Sequence, residues 1–340
     1  NRPTPEPAWP AQIDGFSFQP FQKDQDAIAG DLPTVEQIDR DLQLLEGKTA
    51  SVRTYSSLGT LGDVPRLARK YGIKVTVGAW LSDDLDLNRR EVDRLIQVAK
   101  ANPNVNQLIV GNEVVLRYES QIDDLAPDEL IAHLERVRRA TKQPVSTAEP
   151  WHIWLRYPEL VEHVDFIAIH LLPYWEGVDV EQAVQHSIEA VRQVENRFPG
   201  KPVVIAEVGW PSDGRTRESA VASPSNQASF LRRFLQGFRR GFGWNLGCQL
   251  RLRRGDGLLE ARGRARDLPL VREGLRLRRV SPLDDDDPVA APLAVKAHRV
   301  EEADEAGAQH RDVRHGALPE ARRAATRNSR PGAADRPSPG

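Results

Sequence analysis

Cysteine is almost missing from this sequence: its 340 residues contain one, Cys248. A single thiol excludes an internal disulfide framework and a cysteine-rich metal site, and it is compatible with the cytosol or with a bacterial periplasm. Long apolar runs are missing too, and nothing approaches the roughly 18 consecutive apolar residues of a membrane span. A basic excess is lacking: the formal charge is −2, which argues against nucleic acid or an anionic membrane as partner. The chain opens Asn1-Arg2-Pro3-Thr4-Pro5 without an initiator Met or a signal-peptide pattern, and so reads as a mature form or an excised domain. Aromatic residues are absent after Cys248, where Arg, Ala, Asp, Gly and Pro dominate and Asp284-Asp285-Asp286-Asp287 forms an acidic run. Such a stretch is poor material for a packed core. The division that follows is an extension over residues 1–11, one globular domain over 12–262, and an atypical tail over 263–340 expected to be poorly ordered.

What is present is a repeat. Short Val- and Ile-rich runs at 13–18, 51–55, 74–79, 107–110, 144–148, 166–172 and 203–208 are each followed by an amphipathic segment. Several of these runs lack alternation, as buried parallel strands do. Between them, helical spacing groups Ile38 with Leu42 and Leu45, and Leu130 with Leu134 and Val137. The same spacing groups Val184 with Ile188 and Val191, and Phe230 and Leu231 with Phe234 and Leu235. Pro127 and Asp128 stand where a helix begins, and Pro199-Gly200 ends another. Strand and helix in alternation predict a parallel sheet with helices outside it. Seven such units in roughly 240 residues predict an α/β fold, a (β/α)8 TIM barrel, of the usual size near ~250 residues. An open doubly wound sheet is disfavoured, because Gly15-Phe16-Ser17-Phe18-Gln19-Pro20 supplies no Gly-rich phosphate loop.

In such a barrel the chemistry stands at the C-terminal ends of the strands. Those ends read Arg53-Thr54-Tyr55, Trp80, Gly111-Asn112-Glu113, Glu149-Pro150-Trp151, His170 with Pro173-Tyr174-Trp175, and Glu207-Val208-Gly209-Trp210. Carboxylates and aromatic rings gathered at one mouth predict a carbohydrate cleft, with rings stacking on sugar faces and polar groups binding hydroxyls. Cleaving a glycosidic bond takes one protonated and one ionised carboxyl group on opposite sides of the anomeric carbon. Glu113, on the fourth strand, and Glu207, on the seventh, lie across the mouth from each other and are the candidate pair. Asn112 is placed for the sugar 2-hydroxyl. Tyr55, Glu149, Trp151, Tyr174, Trp175 and Trp210 are candidate substrate-binding residues, with Tyr174 also a candidate donor to Glu207. Glu149 has an equal alternative as a structural ion pair with Arg53 or another base. Trp151, Tyr174, Trp175 and Trp210 have core packing as theirs, and Trp9 and Trp154 read as packing. His170 and His152 read as hydrogen-bonded barrel residues; with Glu149 they lack compact metal-ligand spacing, so no metal and no cofactor is expected.

Two segments carry a family resemblance. Leu108-Ile109-Val110-Gly111-Asn112-Glu113 and Ile205-Ala206-Glu207-Val208-Gly209-Trp210-Pro211-Ser212 resemble the active-site signatures of glycoside hydrolase family 17, β-1,3-glucan-active (β/α)8 barrels. The resemblance covers about residues 12–244 and implies Glu113 as acid/base and Glu207 as nucleophile of a retaining enzyme. Phe16-Ser17-Phe18-Gln19-Pro20-Phe21, Thr147-Ala148-Glu149-Pro150-Trp151 and His170-Leu171-Leu172-Pro173-Tyr174-Trp175 resemble bacterial members often attached to membrane glucan synthases, some of them transglycosylases. That likeness implies β-glucan as partner, a domain excised from such a synthase, and an extracytoplasmic location.

The eighth strand is where the sequence departs from this pattern. Arg251-Leu252-Arg253-Arg254 puts three arginines among four residues, which does not suit a buried strand. Read one base later, codons that fit Gln249 to Ala261 spell Asn-Tyr-Val-Tyr-Val-Glu-Ala-Met-Asp-Phe-Trp-Lys-Arg, the aromatic strand and Trp-Lys segment of the resembled family. A frameshift near Cys248 is therefore expected, leaving the first and seventh strands with open edges. The competing functions are a hydrolase or transglycosylase of β-1,3-glucan, a glucan-binding barrel impaired in turnover, and a metal-dependent barrel hydrolase.

Overall fold

The computed structural model describes residues 6–23, 25, 30–241 and 248–250. Eight parallel strands follow one another around a closed barrel. They are β1 (Ile13–Ser17), β2 (Thr49–Arg53), β3 (Lys74–Ala79), β4 (Val105–Asn112), β5 (Val145–Pro150), β6 (Ile167–Leu171), β7 (Val203–Val208) and β8 (Cys248–Leu250). The helices are α1 (Val35–Leu45), α2 (Val64–Ala68), α3 (Leu85–Ala101), α4 (Val114–Glu119), α5 (Pro127–Ala140), α6 (Trp151–Arg156), α7 (Val180–Arg197) and α8 (Pro224–Gly241).

Local chemistry sets the helix starts. Thr34 and Gln37 exchange hydrogen bonds at the head of α1, the Gln37 N–H donating to Thr34 Oγ1 and the Thr34 N–H to Gln37 Oε1. This capping box satisfies two N–H groups that have no partner within the helix. Asp84 accepts from Asp86 and Leu87 at the head of α3. Pro127 opens α5, where its missing N–H costs nothing. The predicted faces of α1 and α5 are buried at Ile38, Leu42, Leu130, Leu134 and Val137. In α7 the buried row is Ala183, Ser187, Ala190 and Val194 beside Val191, while Val184 and Ile188 approach Gly237 of α8. Spacing alone merged these two faces into one.

The two faces of the sheet sort into separate clusters. Val203, Ile205 and Val208 pack with the helices in the larger one. Ile109, Ala148, Phe166, Ala168, Val204 and Ala206 form the smaller, which is the barrel interior. The expected open edges are not found. β8 pairs with β1 through Gly15↔Gln249 and Phe16↔Leu250, and with β7 through Ile205↔Cys248 and Val208↔Leu250. The physical reason is position: the closing strand, Cys248–Leu250, is built from the three residues that precede the arginines in sequence. The proposed frameshifted segment from Arg251 onward, the boundary at 262 and the tail 263–340 lie outside the described residues.

Candidate active site

The end of β4 is bent so that Glu113 stands at the mouth. Gly111 has φ +83°, and a Cβ there would meet Val114 Cγ2 at 2.6 Å, so glycine alone fits. Two residues on, Glu113 itself has φ 52° and ψ 34°, a left-handed conformation that side-chain-bearing residues rarely adopt. Its N–H donates to Ala148 O of β5 at 2.8 Å, and its carbonyl accepts from Arg117 at 2.9 Å. The strained residue is thus fixed on both sides, as such a conformation requires.

Glu207 lies at the end of β7 with its side chain wholly buried, whereas that of Glu113 is 24% exposed. Three side chains, Arg53, Tyr55 and His170, stand against the buried carboxylate. Arg53 Nη1 donates to Glu207 Oε1 at 3.0 Å, and the Tyr55 hydroxyl donates to the same oxygen at 2.5 Å. Arg53 Nη2 donates to Asn112 Oδ1 at 2.6 Å, which leaves the amide N–H groups of Asn112 for other acceptors. His170, buried on β6, places Nδ1 2.7 Å from Glu113 Oε1 and Nε2 3.8 Å from Glu207 Oε1. One imidazole therefore touches both glutamates. A buried arginine and a phenol directed at one oxygen suit an ionised carboxylate.

The other candidates separate into two groups. Tyr55, Trp151 and Trp175 stay at the mouth. Trp151 is half-buried with Nε1 3.3 Å from both oxygens of Glu176. Trp175 is 39% exposed, and the Arg217 guanidinium lies 4.2 Å over its ring. Tyr174 and Trp210, expected among the substrate-binding rings, are instead buried at 2% and 1% exposure. Their rings pack edge to face on each other, and Trp210 packs further against Phe230 at a tilt of 42°. The Tyr174 hydroxyl donates to the Arg215 carbonyl and not to Glu207; the Trp210 indole N–H donates to Val221 O at 3.0 Å. Backbone acceptors in the loop before α8 hold both rings inward, and Tyr55 takes the place Tyr174 was expected to fill. Trp154 is fully buried and Trp9 packs on the core, as read from the sequence.

Glu149 also departs from expectation. It is fully buried, and its two oxygens accept from the N–H groups of Val115 at 3.0 Å and Leu116 at 3.3 Å. It makes no ion pair with Arg53, whose guanidinium is directed at Glu207 and Asn112 instead. Burial pushes its pKa from 4.5 up to about 8, against the pull of the Val115 N–H and helped by the charge of Glu113. A second buried carboxyl, Glu91 of α3, escaped the sequence reading. It accepts from the Ser56 hydroxyl and from Ser57 N at 3.0 Å, tying down the loop that carries Tyr55. Burial raises its pKa from 4.5 to about 7. Its signal was available: Glu91 sits three residues from buried Asn88 and four from buried Leu95, on the inward face of α3.

These two raised values make stability depend on pH. From about pH 4.5 the native protein keeps protons that the unfolded chain has released, on Glu91 up to about pH 7 and on Glu149 up to about pH 8, so stability falls as pH rises through those windows. At about 1.4 kcal/mol per pKa unit, Glu91 contributes on the order of 3 kcal/mol of the fall. Thermal unfolding is expected to give a lower Tm at pH 8 than at pH 5, with a shallower decline in Glu91→Gln. A Tm that climbs over this range, or an unchanged slope in the variant, contradicts the assignment.

The fold and the glutamate pair at its mouth define a (β/α)8 barrel with a carboxylate-lined cleft. The chain belongs to the BtgE/BtgC glycoside hydrolase domain family, whose model matches residues 15–245. A glucan 1,3-beta-glucosidase of Schizosaccharomyces pombe is 27% identical over 220 residues, which is 59% of this chain and 67% of that protein. A probable glucan endo-1,3-beta-glucosidase of Aspergillus flavus is 27% identical over 54% of this chain, but the match spans 28% of that longer protein. Among solved structures, an active-site mutant of the Rhizomucor miehei beta-1,3-glucanosyltransferase, in complex with laminaritriose, aligns with a TM-score of 0.61 at 26% identity. The alignment covers 70% of this chain and 86% of the other. A beta-D-glucuronidase from Dictyoglomus thermophilum, 18% identical with a TM-score of 0.51, shares the fold alone. Among the described residues no helix is long and apolar enough to cross a membrane.

Proposed function

We propose that this chain cleaves and transfers β-1,3-glucan by a retaining double displacement, with Glu207 as nucleophile and Glu113 as acid/base. The observation that carries the reading is the contrast between two glutamates bridged by His170: one sealed and held by Arg53 and Tyr55, the other partly open to solvent. A nucleophile must be aimed and ionised. An acid/base must meet water or a sugar hydroxyl arriving from outside. In the first step Glu207 bonds to the anomeric carbon while the bond to the leaving oxygen breaks, and that oxygen takes the proton of Glu113. In the second, an acceptor hydroxyl gives its proton to Glu113 as its oxygen replaces Glu207 at the same carbon. The amide N–H groups of Asn112 are available for the sugar 2-hydroxyl, since its oxygen is taken by Arg53.

The glucosidase and glucanosyltransferase names of the relatives support β-1,3-glucan as substrate. The half-buried Trp151 and exposed Trp175 support an aromatic acceptor region, and hence transfer over hydrolysis. The likeness of the segments around Phe16, Glu149 and His170 to bacterial members supports bacterial kin and an extracytoplasmic place of work. Mass spectrometry after incubation with laminari-oligosaccharides is expected to show products longer than the substrate, lost in Glu207→Ala. Shorter products alone indicate hydrolysis. Binding without any product defeats the enzymatic reading in favour of a glucan-binding module.

A further inference from the structure

The first turn of α4 has an unusual source of its cap. A helix start normally receives a side-chain oxygen from the residue at its own N-cap. Here the N-cap is Glu113, which makes no such bond, its carboxyl group being directed to His170. The free N–H groups of Val115 and Leu116 are served instead by Glu149, 34 and 33 residues away on β5. A residue occupied at the mouth cannot cap its own helix, and a buried carboxyl on the neighbouring strand takes over that task.

From this we infer that Glu149 is a positioning residue for Glu113, holding the left-handed backbone that aims the acid/base at the scissile bond. The inference rests on the role proposed above for Glu113. Three contacts converge on the same short segment from β5: the Glu113 N–H to Ala148 O, and both oxygens of Glu149 on the next turn. A left-handed non-glycine residue persists only where its surroundings over-determine it. Glu149 supplies the restraint on the helical side of that residue, and Gly111 releases the chain on the strand side. The charged neighbours are otherwise engaged. Arg117 spends its hydrogen bonds on Asp123, the Asn112 carbonyl and Leu81 O, and its charge acts on Glu149 less than burial and the Val115 N–H do.

The test separates aiming of a proton from general packing. The quantity measured is kcat/KM, which stops at the first bond cleavage, on laminaritetraose and on a 2,4-dinitrophenyl β-laminaribioside. The dinitrophenolate departs without protonation, so loss of acid assistance spares it. Glu113→Gln, the reference, is expected to lose on the order of 10²–10⁴-fold on the oligosaccharide and little on the dinitrophenyl substrate. Glu149→Gln is expected to show the same split at about 10–100-fold, with the dinitrophenyl value within about threefold of wild type. Equal losses on both substrates, or none on either, with the split present in Glu113→Gln, overturn the positioning role. If Glu113→Gln itself shows no split, its assignment as the acid fails and the inference falls with it. Should Glu149→Gln not fold, as read by circular dichroism, Glu149→Asp carries the same comparison, since the shorter acid keeps the carboxyl and cannot reach both N–H groups.

Discussion

Glu207→Gln is expected to lower kcat on laminari-oligosaccharides by on the order of 10⁴-fold or more, since removing a nucleophile removes the covalent route altogether. The amide keeps an oxygen for Arg53 and Tyr55, so the loss should come without unfolding. A small external anion then distinguishes the two glutamates. In Glu207→Ala, azide occupies the emptied space and attacks the anomeric carbon of a dinitrophenyl β-glycoside from the carboxylate's own side. The product is an α-glycosyl azide. In Glu113→Ala the glycosyl-enzyme still forms from that substrate, and azide displaces it to give a β-glycosyl azide. The coupling constant of the anomeric proton reads the difference directly. The same anomer from both variants would mean that the roles have been misassigned.

Arg53→Leu is the second large effect, and it concerns stability. Arg53 is fully buried and spreads its guanidinium over several partners, Nη1 on Glu207 and the Ala206 carbonyl and Nη2 on Asn112. Removing one member of a buried pair leaves the other charge uncompensated, at about 3–5 kcal/mol. Lysine will not substitute, because a single ammonium cannot present two nitrogens in a fixed plane to Glu207 and Asn112. Thermal or denaturant unfolding should therefore place Arg53→Leu and Arg53→Lys well below wild type. Arg53→Met combined with Glu207→Gln should recover much of the deficit, since neither buried charge then remains. A single variant as stable as wild type, or a double variant no better than the single, removes the buried pair from its place in the account.

The sequence made the barrel legible because buried parallel strands are written as short Val- and Ile-rich runs, and all seven of those runs became strands. The mouth was legible because strand ends converge there whatever the details of packing. Side-chain direction was not. Tyr174 and Trp210 carry polar tips that look ready for a sugar, yet carbonyls of the same loop accept both, at Arg215 and Val221. Glu149 was left evenly between a sugar ligand and a structural ion pair, and the helix start it serves was not foreseen because it lies 34 residues away in sequence. Arg53 did carry a signal: an arginine ending a buried strand must have partners, and the choice between Glu149 and Glu207 depended on which neighbours crossed the barrel. The eighth strand was misread because three residues, Cys248 to Leu250, suffice to close the ring.

The measurement closest to the central claim is the configuration of the first product, followed by proton NMR from the moment enzyme meets laminari-oligosaccharide. A double displacement through Glu207 predicts that the cleaved anomeric carbon appears first in the β configuration, whether water or another sugar accepts it. A first-formed α signal would contradict the account, because it would require a single displacement with Glu207 serving as base to a water and never bonding to the sugar.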